Sequence, residues 1–211
     1  ITTQDANRAD KLRRLRDHGA ALSDLQRHLG PRPYLLTDHT EAGYILRMTD
    51  IQGALGSAQM DRAAAIIAER QRLAAHYDRA FATLDWLATP ACHAGYTHGY
   101  QSYPCLFQPE RARQAAASRD TAAIKAINAD RNAWMDQLQQ QGVSTRPATH
   151  AVHMLSFYQQ KYRLAPTDYP NAFAANDCSI SLPLFHGMTS EEQERVIDIV
   201  QNAEINQGTV Q

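Results

Sequence analysis

Arginines and histidines are where chemistry can gather in this chain. Arg47 stands in Gly43-Tyr44-Ile45-Leu46-Arg47-Met48-Thr49-Asp50-Ile51-Gln52-Gly53-Ala54-Leu55-Gly56. A guanidinium there can grip a phosphate through two parallel hydrogen bonds, or tie loop to helix through a carboxylate. A second group lies in Gly142-Val143-Ser144-Thr145-Arg146-Pro147-Ala148-Thr149-His150-Ala151-Val152-His153. Arg146 offers a fork of donors and His150 can donate or accept, so both are candidates for ligand contact; the alternatives are a surface arginine and a histidine at the edge of the core. His150 and His153 stand at i, i+3, which also permits a metal pair. No third ligand lies nearby, so no metal is expected. The lysines are Lys11, Lys125 and Lys161. A catalytic lysine must be desolvated or paired to lose its proton near neutral pH. Lys125, flanked by Ile124, Ala126 and Ile127, comes nearest to that condition, but its segment reads as helix.

The elements that must position these groups follow from spacing and punctuation. Thr49-x-x-Gln52 is a capping box that opens a long helix from about 50 to 84. Ile51, Leu55, Ala58, Ile66, Leu73, Tyr77, Phe81 and Leu84 mark its inner face. Gly53 and Gly56 each cost roughly 1 kcal/mol in such a helix, so a close approach by another backbone or a ligand is expected there. Ahead of it, Ile1-Thr2-Thr3 reads as the tail of a strand. A helix follows from Asp5, with Ala9, Leu12 and Leu15 on one face, Gly19 as its stop, and Lys11, Arg13, Arg14 and Arg16 on a solvated, dipole-favoured end. Leu29-Gly30-Pro31-Arg32-Pro33 then begins a loop that runs to Gly43.

Beyond the long helix, residues 101–107 read as a strand, demoted by Pro104 to an edge or a bulge. Residues 110–127 are mostly polar and alanine-rich. A helix over 128–141 has Trp134 and Leu138 as anchors and Gly142 as its stop. Residues 143–146 form a short strand, 171–176 a helix, and 179–182 a strand. Thr189-x-x-Glu192 caps a last amphipathic helix bearing Val196, Ile197 and Val200. Alternating strands and helices of this kind predict a small α/β sandwich with helices on one face.

Composition narrows the function classes. The net charge of −1 offers no field for nucleic acid or a membrane surface, and no apolar run approaches the roughly 18 residues of a transmembrane helix. The opening Ile1-Thr2-Thr3-Gln4-Asp5 has neither a basic n-region nor an apolar h-region, so no signal peptide is expected. Cys92, Cys105 and Cys178 are widely separated, and reduced thiols in a cytoplasmic protein are the better reading.

Several stretches resemble, in order, the DegT/StrS family of sugar aminotransferases, which depend on pyridoxal 5′-phosphate. The 43–56 stretch is similar to the family's G-[YF]-N-x-R-M-[ST]-x-[LIM]-Q-A-A-x-G signature. Residues 142–153 match a second motif, loosely at the histidines. His98-Gly99-Tyr100-Gln101-Ser102-Tyr103 resembles a third, with Gln101 in place of a histidine. Cys178-Ser179-Ile180-Ser181-Leu182-Pro183-Leu184-Phe185-His186-Gly187-Met188-Thr189 resembles a fourth, of structural role. The resemblance implies the C-terminal part of a fold-type-I transferase. Residues 1–48 would be the tail of the cofactor-binding domain and an interface loop, 49–85 a long connecting helix, and 86–211 the small α/β domain. It implies a homodimer with the active site across the interface, Arg47 holding the neighbour's cofactor phosphate, and Arg146 and His150 facing a nucleotide sugar. Ile45 stands where the family has asparagine, removing one side-chain donor.

The resemblance also implies that the lysine to which the cofactor binds precedes Ile1. None of Lys11, Lys125 and Lys161 sits in the strand-to-turn setting that lysine needs. The chain thus reads as part of an enzyme that moves an amino group from a donor such as glutamate to a nucleotide-linked keto sugar, with no catalytic residue of its own. Two alternatives stay open: a relative that dehydrates its sugar, and a non-catalytic domain that binds a partner or a sugar nucleotide.

Overall fold

Asp5 starts the first helix by capping it. Its Oδ1 accepts the N–H groups of Asn7 at 2.9 Å and Arg8 at 3.1 Å, two of the donors an α-helix start leaves unpaired. The computed structural model describes residues 1–21, 26, 29–30 and 38–205, which fall into two units, Ile1–Arg62 and Ala63–Gln211. In the first unit, helix α1 spans Ala6–Leu15. The turn behind it closes at Gly19, whose φ is +74° and whose N–H returns to the Arg14 carbonyl. A Cβ at Gly19 would come within 1.8 Å of the Glu41 carbonyl oxygen, so only glycine fits. Isolated bridges Asp17↔Ile45 and Ala20↔His39 lay the loop before the long helix along this turn. Residues 1–3 are not a strand: a strand exists only against a partner ladder, and no described residue supplies one. Of the loop expected from Leu29 onward, 31–37 lie outside the described residues.

Helix α2, Asp50–Phe81, opens with the expected capping box. The Thr49 N–H donates to Gln52 Oε1 at 2.9 Å, and the Gln52 N–H to Thr49 Oγ1 at 3.3 Å. Its expected inner face is buried only in its second half. Leu73, Tyr77 and Phe81 are buried, whereas Ile51 and Leu55 are exposed. Periodicity tells which residues share a face; what covers the face is a separate matter.

In the second unit, strands β1 (Leu87–Ala88), β2 (Tyr103–Phe107) and β3 (Ser179–Leu182) form an antiparallel sheet in the order β1-β2-β3. Tyr103, Cys105 and Phe107 point to a buried face, where Tyr103 meets Tyr77 at 5.0 Å and Phe107 stacks on Trp134 at 5.6 Å. The strand carrying Pro104 is therefore the central one, against the sequence expectation of an edge or a bulge. The register explains it. Pro104 opposes Ser181, whose N–H goes to the Arg146 carbonyl at 2.8 Å, away from β2. This is a non-hydrogen-bonded pair, so the missing proline N–H falls on the β1 side. There β1 pairs only with Leu106 and Phe107 and does not reach Pro104.

Helices α3 (Pro109–Ala117), α4 (Thr121–Gln140), α5 (Ser156–Tyr162), α6 (Pro170–Cys178) and α7 (Ser190–Gln201) complete the unit, with 3₁₀ turns at Val152–Met154 and Pro166–Asp168. Most of residues 110–127 belong to α3 and α4, and Ala112, Ala115, Ala116, Ile124 and Ile127 lie in the core. Alanine stripes look polar by average composition, yet they let helices approach closely. The helix expected at 128 starts at Thr121, capped by Asp120 Oδ1 on the Ala123 N–H at 2.9 Å. Gly142 closes it at φ +80°, with the Val143 N–H on the Leu138 carbonyl. The strand expected at 143–146 reduces to one bridge, Arg146↔Ser181.

Candidate functional site

Arg47 belongs to the first unit, on the loop that the Asp17↔Ile45 bridge holds. At that bridge the hydrogen bonds come from the neighbours of Ile45: the His18 N–H donates to the Tyr44 carbonyl and the Leu46 N–H to the Arg16 carbonyl, both at 2.9 Å. The N–H and carbonyl of Ile45 itself thus point away from the turn. The Ile45 side chain is exposed. Arg47 Nε lies 3.5 Å from Asp17 Oδ1, and 52% of the Arg47 side chain is exposed. The geometry leaves both chemistries open to this arginine. It ties the loop to the α1 turn, and a broad part of its surface still faces outward beside an outward-pointing backbone amide. A phosphate fits that donor set.

Arg146 and His150 belong to the second unit and share one loop. Both are exposed. Arg146 helps line a concavity of ≈ 220 Å³ with Gln101, Ser102, Ser144, Thr145 and Ser181; His150 does not line it. The loop is pinned at two points. The Ser181 N–H holds the Arg146 carbonyl, and Asn176 Oδ1 accepts the Ala151 N–H at 2.8 Å. Asn176 Nδ2 in turn donates to Asp177 Oδ1 at 2.7 Å, and Lys125 Nζ pairs with Asp177 Oδ2 at 2.8 Å. Sequence reading missed this network, which links α4, α6 and the loop. Its one visible signal is Asn176-Asp177, two polar residues adjoining an apolar strand.

His153 is buried against Tyr169 at 5.2 Å between ring centres, and its Nε2 has no hydrogen-bond partner among the described residues. It therefore does not share an exposed position with His150. No group of three or more His, Cys, Asp or Glu among the described residues is placed to hold a metal ion.

The lysines are ion-paired, set over aromatic rings or exposed. Lys125 is largely exposed, paired with Asp177 and set over the Phe173 ring at 5.1 Å. Lys161 lies over the rings of Phe157 and Tyr162, and Lys11 is exposed on α1. The buried thiols are inert: burial, with Asp177 beside it, pushes Cys178 up to about 12, and burial raises Cys105 too.

A further charged contact fixes the second half of α2. Glu69 Oε1 accepts the Gly187 N–H at 3.0 Å, and His186 Nδ1 pairs with Glu69 Oε2. The Gly187 N–H, with the His186 ring beside it, holds the Glu69 carboxyl below the usual carboxylate range.

Comparisons with known proteins bear on what this arrangement serves. A model of the DegT/DnrJ/EryC1/StrS aminotransferase family matches residues 1–201. The chain is 27% identical over 200 residues to the uncharacterized protein MJ1066 of Methanocaldococcus jannaschii, covering 95% of this chain and 47% of that protein. It is 26% identical over 202 residues to the spore coat polysaccharide biosynthesis protein SpsC of Bacillus subtilis, covering 96% and 48%. Among solved structures, its fold is similar to that of Spr1654 of Streptococcus pneumoniae in its PMP form. The TM-score is 0.70 at 21% identity, over 93% of this chain and 45% of the other. The chain spans about half the length of the curated relatives it matches.

Proposed function

The chain belongs to the DegT/DnrJ/EryC1/StrS aminotransferase family, and on that premise we propose that it is a portion of a pyridoxal-5′-phosphate-dependent aminotransferase acting on a nucleotide-linked keto sugar. The bound cofactor supplies an electron sink for moving an amino group from a donor such as glutamate. The contribution of this chain is to hold and orient. Arg47 grips the cofactor phosphate in a neighbouring copy, helped by the outward amide of Ile45 where a side-chain donor is missing. Arg146 meets the diphosphate or a sugar hydroxyl, and His150 hydrogen-bonds the sugar. The observation that carries the reading is the family match over residues 1–201.

Three corollaries belong to the same proposal. The cofactor-bearing lysine lies outside this chain, since Lys11 and Lys161 stand on helices and Lys125 is ion-paired; these 211 residues alone do not transaminate. Residues 1–48 complete the cofactor domain, 49–85 connect, and 86–211 form the small domain. The enzyme is a cytoplasmic homodimer whose active site spans the interface. In support of the dimer, Tyr44, Leu46, Met48, Ile51 and Leu55 are exposed apolar residues, and the space over Gly53 and Gly56 is open. No helix among the described residues is long and apolar enough to cross a membrane.

The pairing of Arg47 with Asp17 favours a second reading, in which the same surface binds a sugar nucleotide or a partner without catalysis. The test is to give the full-length protein pyridoxal phosphate, glutamate and a nucleotide-linked keto sugar, then follow 2-oxoglutarate and the mass of the sugar. Amination of the sugar with equimolar 2-oxoglutarate supports the proposal. Loss of water without gain of nitrogen indicates a dehydratase, and no reaction despite bound cofactor indicates the non-catalytic reading.

A further inference from the structure

Helix α5 buries none of its residues, although three of its seven are aromatic. Phe157 is 62% exposed and Tyr162 56%, and Tyr158 is exposed as well. These rings contact one another rather than the core. Phe157 meets Tyr158 edge-on at 5.2 Å, and Tyr158 stacks with Tyr162 at 6.3 Å. Aromatic area left out of the core contributes nothing to folding, and apolar surface gathered in this way marks a binding face.

The charge on this face is of one sign. Residues 150–163 contain Lys161 and Arg163 and no Asp or Glu. Lys161 Nζ lies 5.4 Å from the ring centres of both Phe157 and Tyr162. Neither Lys161 nor Arg163 has a carboxylate partner among the described residues. Exposed π-faces beside an unpaired cation suit a planar heterocycle joined to a phosphate, since stacking holds the ring and the ammonium neutralises the anion. A purely apolar occupant would have to desolvate Lys161 without compensation. A phosphate brings its own counter-charge.

The face is also continuous with the candidate site. The 3₁₀ turn Val152–Met154 is separated from His150 by its N-cap Ala151, and Gln159 Nε2 reaches back to Met154 Sδ at 3.8 Å. The loop that carries Arg146 and His150 therefore runs straight into α5. We infer that α5, through Phe157, Tyr162 and Lys161, is the stacking surface for the base of the nucleotide-linked substrate. This inference rests on the substrate class proposed above.

The test uses the full-length protein and isothermal titration with uridine, thymidine and guanosine diphosphates, with inorganic pyrophosphate as the phosphate-only probe. The double variant Phe157→Leu/Tyr162→Leu keeps apolar bulk on an exposed helix but removes two π-faces. It should raise the Kd of the preferred nucleoside diphosphate roughly 5- to 150-fold and leave pyrophosphate binding unchanged. Lys161→Gln should weaken both ligands. If the wild type binds a nucleoside diphosphate and the double variant binds it equally well, the stacking surface is wrong while the substrate class stands. If the wild type binds none of the three, the nucleotide reading falls and this inference with it. A change in sedimentation of the double variant with nucleotide affinity intact gives the face to a second copy of the chain, which also overturns the inference.

Discussion

Arg47 sits between two partners, and its neighbours decide how each can be tested. Its Nε is 3.5 Å from Asp17, while about half of the side chain faces outward. If the outward part grips a phosphate, Arg47→Ala in the full-length enzyme removes a charge-assisted bond of about 1.5–3 kcal/mol. Cofactor affinity should then fall roughly 10- to 150-fold by equilibrium dialysis. If the ion pair is its whole role, the same variant lowers thermal stability and leaves cofactor retention alone. Arg146→Ala should raise KM for the nucleotide sugar and leave loading from the amino donor unchanged, because a uniform binding contact acts through KM. Equal slowing of both half-reactions would remove Arg146 from the sugar site. That these two arginines merited attention was legible in the sequence. The buried state of His153 was not, because i, i+3 spacing says nothing about which ring turns into the core.

At the scale of elements, α2 changes character along its length. Leu73, Tyr77 and Phe81 are locked in the core, while the first turns carry Gly53 and Gly56 with nothing within 4 Å of where a Cβ would stand. Within the chain, alanine fits at both positions, so Gly53→Ala and Gly56→Ala should each stabilise the helix by roughly 1 kcal/mol, read by urea unfolding. If a second copy approaches these glycines, the same variants should weaken self-association in sedimentation equilibrium. A rise in stability with no change in association would place the interface elsewhere. The contact between α2 and the turn before α7 adds a pH test. Because the folded pKa of Glu69 is depressed, its stabilisation is complete above the ordinary carboxylate pKa and is lost as pH falls through the lower folded value. Thermal melts from about pH 7 down to about pH 3 should show an acid-side loss that Glu69→Gln reduces.

For the whole molecule, the two units expose different unfinished surfaces. In the first, α1 buries none of its residues, and Ala9, Leu12 and Leu15 line a concavity of ≈ 640 Å³ together with Tyr44 and Leu46. In the second, the apolar core is closed around β2, and the aromatic excess lies outside it on α5. Since none of its lysines stands in the strand-to-turn setting of a cofactor-bearing lysine, this polypeptide purified alone should carry no borohydride-reducible cofactor absorbance band. A band that tryptic mapping assigns to Lys11, Lys125 or Lys161 would overturn the placement of the cofactor-bearing lysine outside the chain.

The sequence by itself determined the features that depend on neighbours along the chain. These are the capping boxes at Thr49 and Thr189, the glycine stop at Gly142, the helices they bound, and the ordered motifs that carry the family. Such signals are local, and the chain writes them in adjacent residues. Only the tertiary structure decided that β2 is central despite Pro104, since that depends on where β1 ends and which way Ser181 donates. It likewise decided that the alanine-rich 110–127 stretch is core, that Lys125 is tied to Asp177, and that α5 keeps its rings outside. Each of these rests on a partner distant in sequence, and helical or strand periodicity carries no record of what lies across the fold.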